Sequence, residues 1–124
     1  MMKNNKINRK KRRIKLGKYL WDEVTVLGDF IRLSQTIGDK GKTKTMLLRN
    51  LRLTSGEPLC DHIWIKVSDI KNYDLIEDRE ITSIKFSATP YCYGLDKPTN
   101  EKYKGEKYSL KDVYIESYIE KKEA

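Results

Sequence analysis

The sequence predicts a mainly β protein: a five-stranded, OB-like Greek-key barrel with one short helix, preceded by a basic disordered arm. Three observations predict it. Runs of β-branched and aromatic residues with period-two alternation recur along the chain. Clusters of Gly, Pro, Asp and Ser separate those runs. One stretch between the third and fourth runs loses the alternation, where such a barrel carries its helix.

The arm comes first. Residues 1–18 carry nine Lys/Arg side chains and no acid. They are Lys3, Lys6, Arg9, Lys10, Lys11, Arg12, Arg13, Lys15 and Lys18. Only Ile7, Ile14 and Leu16 are sizeable apolar groups there besides the methionines. Like charges repel, and so little apolar area does not offset the entropy of ordering. Residues 1–18 are therefore expected to be flexible in isolation.

From Tyr19 the character changes. Residues 23–33 (EVTVLGDFIRL) read as a strand with Gly28 marking a bulge or bend. Residues 36–43 (TIGDKGKT) read as a turn, 45–53 (TMLLRNLRL) as the second strand, and 54–59 (TSGEPL) as a turn. In 61–67 (DHIWIKV) the alternation is clean. Ile63, Ile65 and Val67 point one way, and His62, Trp64 and Lys66 the other.

Residues 68–76 (SDIKNYDLI) fit a short helix or turn over the core. The fourth strand lies within Glu80–Tyr93, with Thr82, Ile84, Phe86 and Ala88 on one face. Pro90 ends its pairing or puts it on an edge. Residues 94–107 are a polar, lysine-rich loop. Residues 108–119 close the domain with Val113, Ile115 and Ile119 facing the core. The domains are thus an arm at 1–18, an OB-like barrel at 19–120 and a polar tail at 121–124. A small SH3-like barrel or an open β-sandwich is the alternative architecture.

Composition bounds the function. Of 124 residues 38% are apolar, low for a globular chain but above the range of a wholly disordered one. The net charge is +8. Beyond the arm, 17 basic side chains face 18 acidic ones, so the body is nearly neutral and the positive charge is concentrated in the arm. Such a distribution attracts phosphate polymers or anionic surfaces. No apolar run approaches a membrane span, and the N-terminus lacks the apolar stretch of a secretory signal. Two cysteines, Cys60 and Cys92, make no disulfide framework. The expectation is a cytoplasmic protein with reduced thiols and no membrane partner.

Several segments resemble a known group. They are Leu47-Leu48-Arg49-Asn50-Leu51, Asp61-His62-Ile63-Trp64, Ile84-Lys85-Phe86-Ser87-Ala88, Tyr91-x-Tyr93-Gly94 and Lys107-Tyr108-Ser109-Leu110. Over about residues 45–113 they resemble small proteins of phages, mobile elements and plasmids of Gram-positive bacteria, and of some archaea. That group's pattern runs as a strand, "DH-hydrophobic-W", "GD-x-I-x-F-x-A", a Tyr-containing strand end and "DYKL". The resemblance implies an OB-like barrel and, by analogy of fold, nucleic-acid handling; it implies no enzymatic activity. The "GD" turn stands here as Asp78-Arg79, and "DYKL" as Lys107-Tyr108-Ser109-Leu110 without the leading acid.

Four groups of residues are site candidates. The first is the arm, with Arg9, Lys10, Lys11, Arg12, Arg13 and Lys15. If ~6 of its charges meet phosphates, log K falls against log salt with a slope of about −5. The bland reading is a solubilising tail or contact with an acidic protein surface. The second is Arg49, Arg52, His62, Trp64 and Lys66, a sheet face where an exposed Trp beside cations stacks unpaired bases. The bland reading puts Trp64 in a secondary core under the 94–107 loop. The third is Tyr93 with Lys102 and Lys104, aromatics among cations, as in a single-strand groove or an ordinary half-buried β surface.

The fourth is a metal or catalytic centre. Cys60, His62 and Cys92 lack the paired spacing of a zinc site, so no metal or other cofactor is expected. Adjacent strand residues point to opposite faces, so Asp61 is not expected to orient His62. No serine elbow, P-loop or paired-carboxylate spacing occurs. The expected function is therefore a non-catalytic nucleic-acid-binding protein of a phage or mobile element, with DNA or RNA as partner. The alternative is a protein partner: an inhibitor of a host enzyme, such as a CRISPR-type nuclease.

Overall fold

A computed structural model describes residues 14–39, 41–92 and 108–122. Five strands form one antiparallel sheet: β1 (Val24–Gly38), β2 (Gly41–Leu53), β3 (Pro58–Lys66), β4 (Ile81–Cys92) and β5 (Tyr108–Glu120). Their order is β3-β2-β1-β4-β5. Three hairpin-connected strands with a fourth returning beside the first is the Greek-key order.

One face of the sheet makes the core. Val26, Met46, Leu48, Ile63, Ile84, Phe86, Val113 and Ile115 are all buried there. Phe86 sits near the middle, on β4 opposite Val26 of β1 and Ile115 of β5. Gly28 marks a bulge as its position suggests, because the β1–β2 register shifts between Leu27 and Asp29. A side chain at residue 28 would crowd Leu48, whose Cδ1 lies 3.4 Å from an added Cβ.

The sheet is open. Among the described residues no ladder joins β3 to β5, so the expected closed barrel is corrected to an open five-stranded sheet. The segment after β3 takes the place of closure. It buries Ile70 and Ile76 and lies along β5, with an isolated bridge from Ile70 to Val113. The Lys71 N–H donates to the Val113 carbonyl at 2.8 Å. Asn72 completes the edge: its Nδ2 donates to the Ile115 carbonyl and its Oδ1 accepts from the Ile115 N–H, both at 2.8 Å. The expected short helix here is instead two 3-10 turns, Val67–Asp69 and Tyr73–Leu75. Both are too short to present an apolar helical stripe, so single anchors bury the segment.

The first β-hairpin is longer than its glycines suggest. Residues 36–43 were expected to turn, but pairing continues to Gly38 opposite Gly41. The β-branched Thr36, Ile37 and Thr43 favour extended backbone. The tight turn needs only the glycines that flank it, and Gly41 adopts φ 105°. β1 pairs with β4 only between Val24 and Asp29, and β3 ends with Lys66 opposite Thr45. The rest of β1 and β2 projects as a two-stranded ribbon.

Residues 14–18 belong with the domain rather than with the arm. Ile14–Tyr19 form a 3-10 turn in which Leu16 is fully buried. Gly17 lies against the ring of Tyr108, where an added Cβ would come within 3.0 Å of Cε2. Lys18 Nζ pairs with Glu57 at 3.5 Å, and the Tyr19 hydroxyl donates to the same carboxylate at 2.7 Å. One apolar anchor was enough to dock this piece, despite the charges around it.

Two core assignments shift with bulges. Ile81, not Thr82, is buried at the start of β4, where the register to β5 is irregular. Asp112 takes φ 53°, and the β4–β5 register shifts again between Lys85 and Phe86. The shift between Lys85 and Phe86, where Glu116 is the extra residue of β5, turns Ile119 outward, to 63% exposure, and leaves Tyr118 half-buried against the core.

Candidate functional site

Cross-strand partners share a face, so the register maps the side of the sheet opposite the core. His62 stands opposite Arg49, which stands opposite Asp29. Trp64 stands opposite Leu47, and Leu47 opposite Arg32. Lys66, Thr45 and Ser34 form the next row. Arg52, Leu27 and Lys85 form a row toward the other end. Lys111 stands opposite Thr89 on the same side.

The paired positions of this outer face therefore carry Arg32, Arg49, Arg52, His62, Lys66, Lys85 and Lys111 against one acid, Asp29. The acids of a nearly neutral body have been placed elsewhere. Asp29 itself is neutralised: Arg52 Nη1 lies 3.1 Å from its carboxylate, and Asn50 Nδ2 donates to it at 2.9 Å. The Asn50 bond and the Arg52 charge hold the Asp29 carboxyl below its ordinary pKa, against the opposing effect of burial. Asn50 reaches it from a left-handed backbone, φ 53°, which asparagine tolerates better than most residues. Among the described residues, Arg32, Arg49, Lys66 and Lys85 have no carboxylate within ion-pairing distance.

Trp64 is exposed on this face, at 37%. The Arg32 guanidinium lies 5.5 Å from its ring centroid. An arginine on an indole leaves the pair apolar enough to accept a flat ring and charged enough to attract an anion. Of the sequence-predicted residues, Arg49, Arg52, His62, Trp64 and Lys66 thus share one surface. Lys15 joins Arg52, Asp29, Asn50 and Asp61 around a cleft of about 600 Å³ beside the β2–β3 turn. Arg9, Lys10, Lys11, Arg12, Arg13, Tyr93, Lys102 and Lys104 lie outside the described residues.

The strand rule failed for Asp61 and His62. Their side chains meet, with Nδ1 3.2 Å from Oδ2. β3 is an edge strand, paired only with β2 among the described residues. Both groups remain substantially exposed. Cys60 and Cys92 are buried at core positions of β3 and β4. Among the described residues no cluster of three metal-type ligands occurs, and no helix is long and apolar enough to cross a membrane.

Sequence reasoning missed Arg32, Lys85, Lys111 and Trp21. The bulges after Leu27 and Phe30 hide the alternation that puts Arg32 beside Trp64. Trp21 precedes the first strand, where no period exists to read. It takes φ 71°, an unusual backbone for a bulky residue. Its N–H donates to the Pro90 carbonyl at 2.8 Å, and its ring receives Lys111 Nζ at 4.8 Å from the centroid. Lys111 also lies 5.6 Å from the Tyr91 ring. Among the described residues the buried Trp21 Nε1–H has no hydrogen-bond partner. A search of protein-family models, curated proteins and solved structures finds no match to this chain.

Proposed function

We propose that this protein binds single-stranded nucleic acid without catalysing its turnover, through the outer face of β1–β3 and the basic N-terminal arm. The observation that carries the reading is the segregation of charge: a body close to neutrality presents one face on which Lys and Arg outnumber acids six to one at paired positions. Concentrating unpaired cations costs self-repulsion, which a polyanion relieves by releasing its counterions. Trp64, with Arg32 on its ring, supplies the stacking platform, worth about 1–3 kcal/mol per base.

The strand order supports the reading at the level of fold. Three hairpin-connected strands with the fourth beside the first match an OB-like Greek key, whose second and third strands and first loop form its binding surface. Here that surface holds Arg49, His62, Trp64 and Lys66. The phage or mobile-element setting rests on the sequence resemblance alone.

The test is fluorescence anisotropy of the full chain on a labelled single-stranded oligonucleotide, at two salt concentrations. Affinity should fall steeply with salt, and deletion of residues 1–13 should flatten the slope. An affinity that ignores both salt and deletion defeats the proposal. A chain without nucleic-acid affinity that still pulls down an acidic host enzyme through Arg49 and Lys66 would replace it with the inhibitor reading.

A further inference from the structure

We infer that the β1–β2 ribbon docks in the major groove of double-stranded DNA, so that the preferred ligand is a junction between a duplex and an adjoining single strand. This rests on the proposed function, because the unpaired strand is the part that lies on Trp64.

Past Trp64 the outer face changes chemistry. Ser34 stands opposite Thr45, and Thr36 opposite Thr43. These two rows place four hydroxyl side chains on one side of the ribbon. Register makes them continuous with the platform, since Ser34, Thr45 and Lys66 form the row next to Arg32, Leu47 and Trp64. A ligand on Trp64 therefore meets the hydroxyl side of the ribbon and not its back. No aromatic ring follows along that side, so stacking of further unpaired bases has no support there.

Hydroxyls suit a different partner. Each both donates and accepts, which matches base edges and phosphate oxygens alike. Beyond Asp29 and Thr45, among the described residues, the ribbon's strands pair only with each other. A two-stranded ribbon of this kind fits the B-form major groove, about 12 Å wide. The major groove of A-form RNA is too narrow for side chains to read. Lys42 and Lys44 lie on the back of the ribbon, exposed and without an ion-pair partner among the described residues. Their long stems reach past its edge to the phosphates that wall the groove.

The experiment compares four labelled ligands with the full chain at one salt concentration. They are a single-stranded DNA oligonucleotide, a blunt DNA duplex, and that duplex with a single-stranded overhang; the overhang duplex is also made in RNA. The DNA overhang duplex should bind about tenfold more tightly than the single strand, and the RNA version should lack that gain. Thr36→Val with Thr43→Val keeps the shape and β propensity of the ribbon but removes two hydroxyls. It should abolish most of the gain while leaving single-strand affinity and the thermal midpoint unchanged. Ile37→Ser, on the back of the ribbon, should change neither.

A wild-type chain that binds the DNA overhang duplex no better than the single strand overturns the inference. So does an equal gain on RNA, or a loss that follows Ile37 rather than the threonines. Failure of the single strand itself to bind is a different outcome, and it removes the proposed function instead.

Discussion

The carboxamide of Asn72 stands in for a sixth strand against Ile115, giving and taking one hydrogen bond with the same backbone residue at 2.8 Å each way. An edge strand otherwise leaves such groups bare, and bare edges recruit other chains. With Lys71 on Val113, this contact stops β5 from acting as a template over its central residues.

Asn72→Ala should therefore cost about 1–3 kcal/mol, because the half-buried Ile115 N–H and C=O lose their partners together. Thermal unfolding by circular dichroism checks the loss. Light scattering checks the second consequence, a concentration-dependent growth in particle size that the wild type lacks. An unchanged midpoint would mean that water replaces the amide without penalty.

Leu16 is the anchor of the basic N-terminal segment. Leu16→Ala should destabilise the fold by about 2–5 kcal/mol, as expected for a fully buried leucine. Deleting residues 1–13 should leave the thermal midpoint nearly unchanged. The two results together would place the boundary of the folded unit between those positions. A large loss on deletion would move it toward the N-terminus.

Trp64→Ala should weaken single-strand binding by about 1–3 kcal/mol, roughly five- to 150-fold, with little effect on folding. Arg32→Ala should produce a smaller loss of the same kind, because it removes the cation from the ring but leaves the ring in place. Anisotropy reads the first effect and thermal unfolding the second. If Trp64→Ala unfolds the domain, the ring is a structural wedge and not a platform.

Acid should loosen two contacts at once. The Tyr19 hydroxyl, more than the Lys18 charge, holds the Glu57 carboxyl below its ordinary pKa, and Asn50 with Arg52 does the same for Asp29. A depressed carboxylate adds stability that is complete above its unfolded pKa and disappears as pH falls through the folded value. Stability should thus be flat near neutrality and decline below about pH 4. Glu57→Gln should shrink that acid-sensitive part. An identical pH profile in the variant would show that the Lys18–Tyr19–Glu57 contact contributes nothing to folding.

Much of the fold was legible because strand alternation is a local signal. The five strands, the Gly28 bulge and the inward turn of Ile63 and Ile65 follow from side chains that must alternate across a pleated backbone. What could not be read was set by partners distant in sequence. Ile119 faces outward because the bulge at Glu116, between Ile115 and Ser117, shifts its parity, and nothing in its own side chains records that. Among the described residues the edge of β5 meets Ile70 and Asn72 rather than β3, a long-range contact that no local pattern announces. Sequence placed Arg49, His62, Trp64 and Lys66 on one surface because β2 and β3 alternate cleanly there. It missed Arg32 and Trp21, one behind two bulges and the other outside any regular element.

Gly17 packs on Tyr108, so the chain leaves the basic N-terminal segment and the lysine-rich stretch before β5 at neighbouring points on the molecule. Two basic stretches far apart in sequence thus adjoin the described fold at one place. On the proposed function, a polyanion held by one stretch is brought near the other, and the second capture then proceeds at the high local concentration of an intramolecular event. Residence on a long polymer then depends on both letting go together, and that dependence is built into one close approach between a glycine and an aromatic ring.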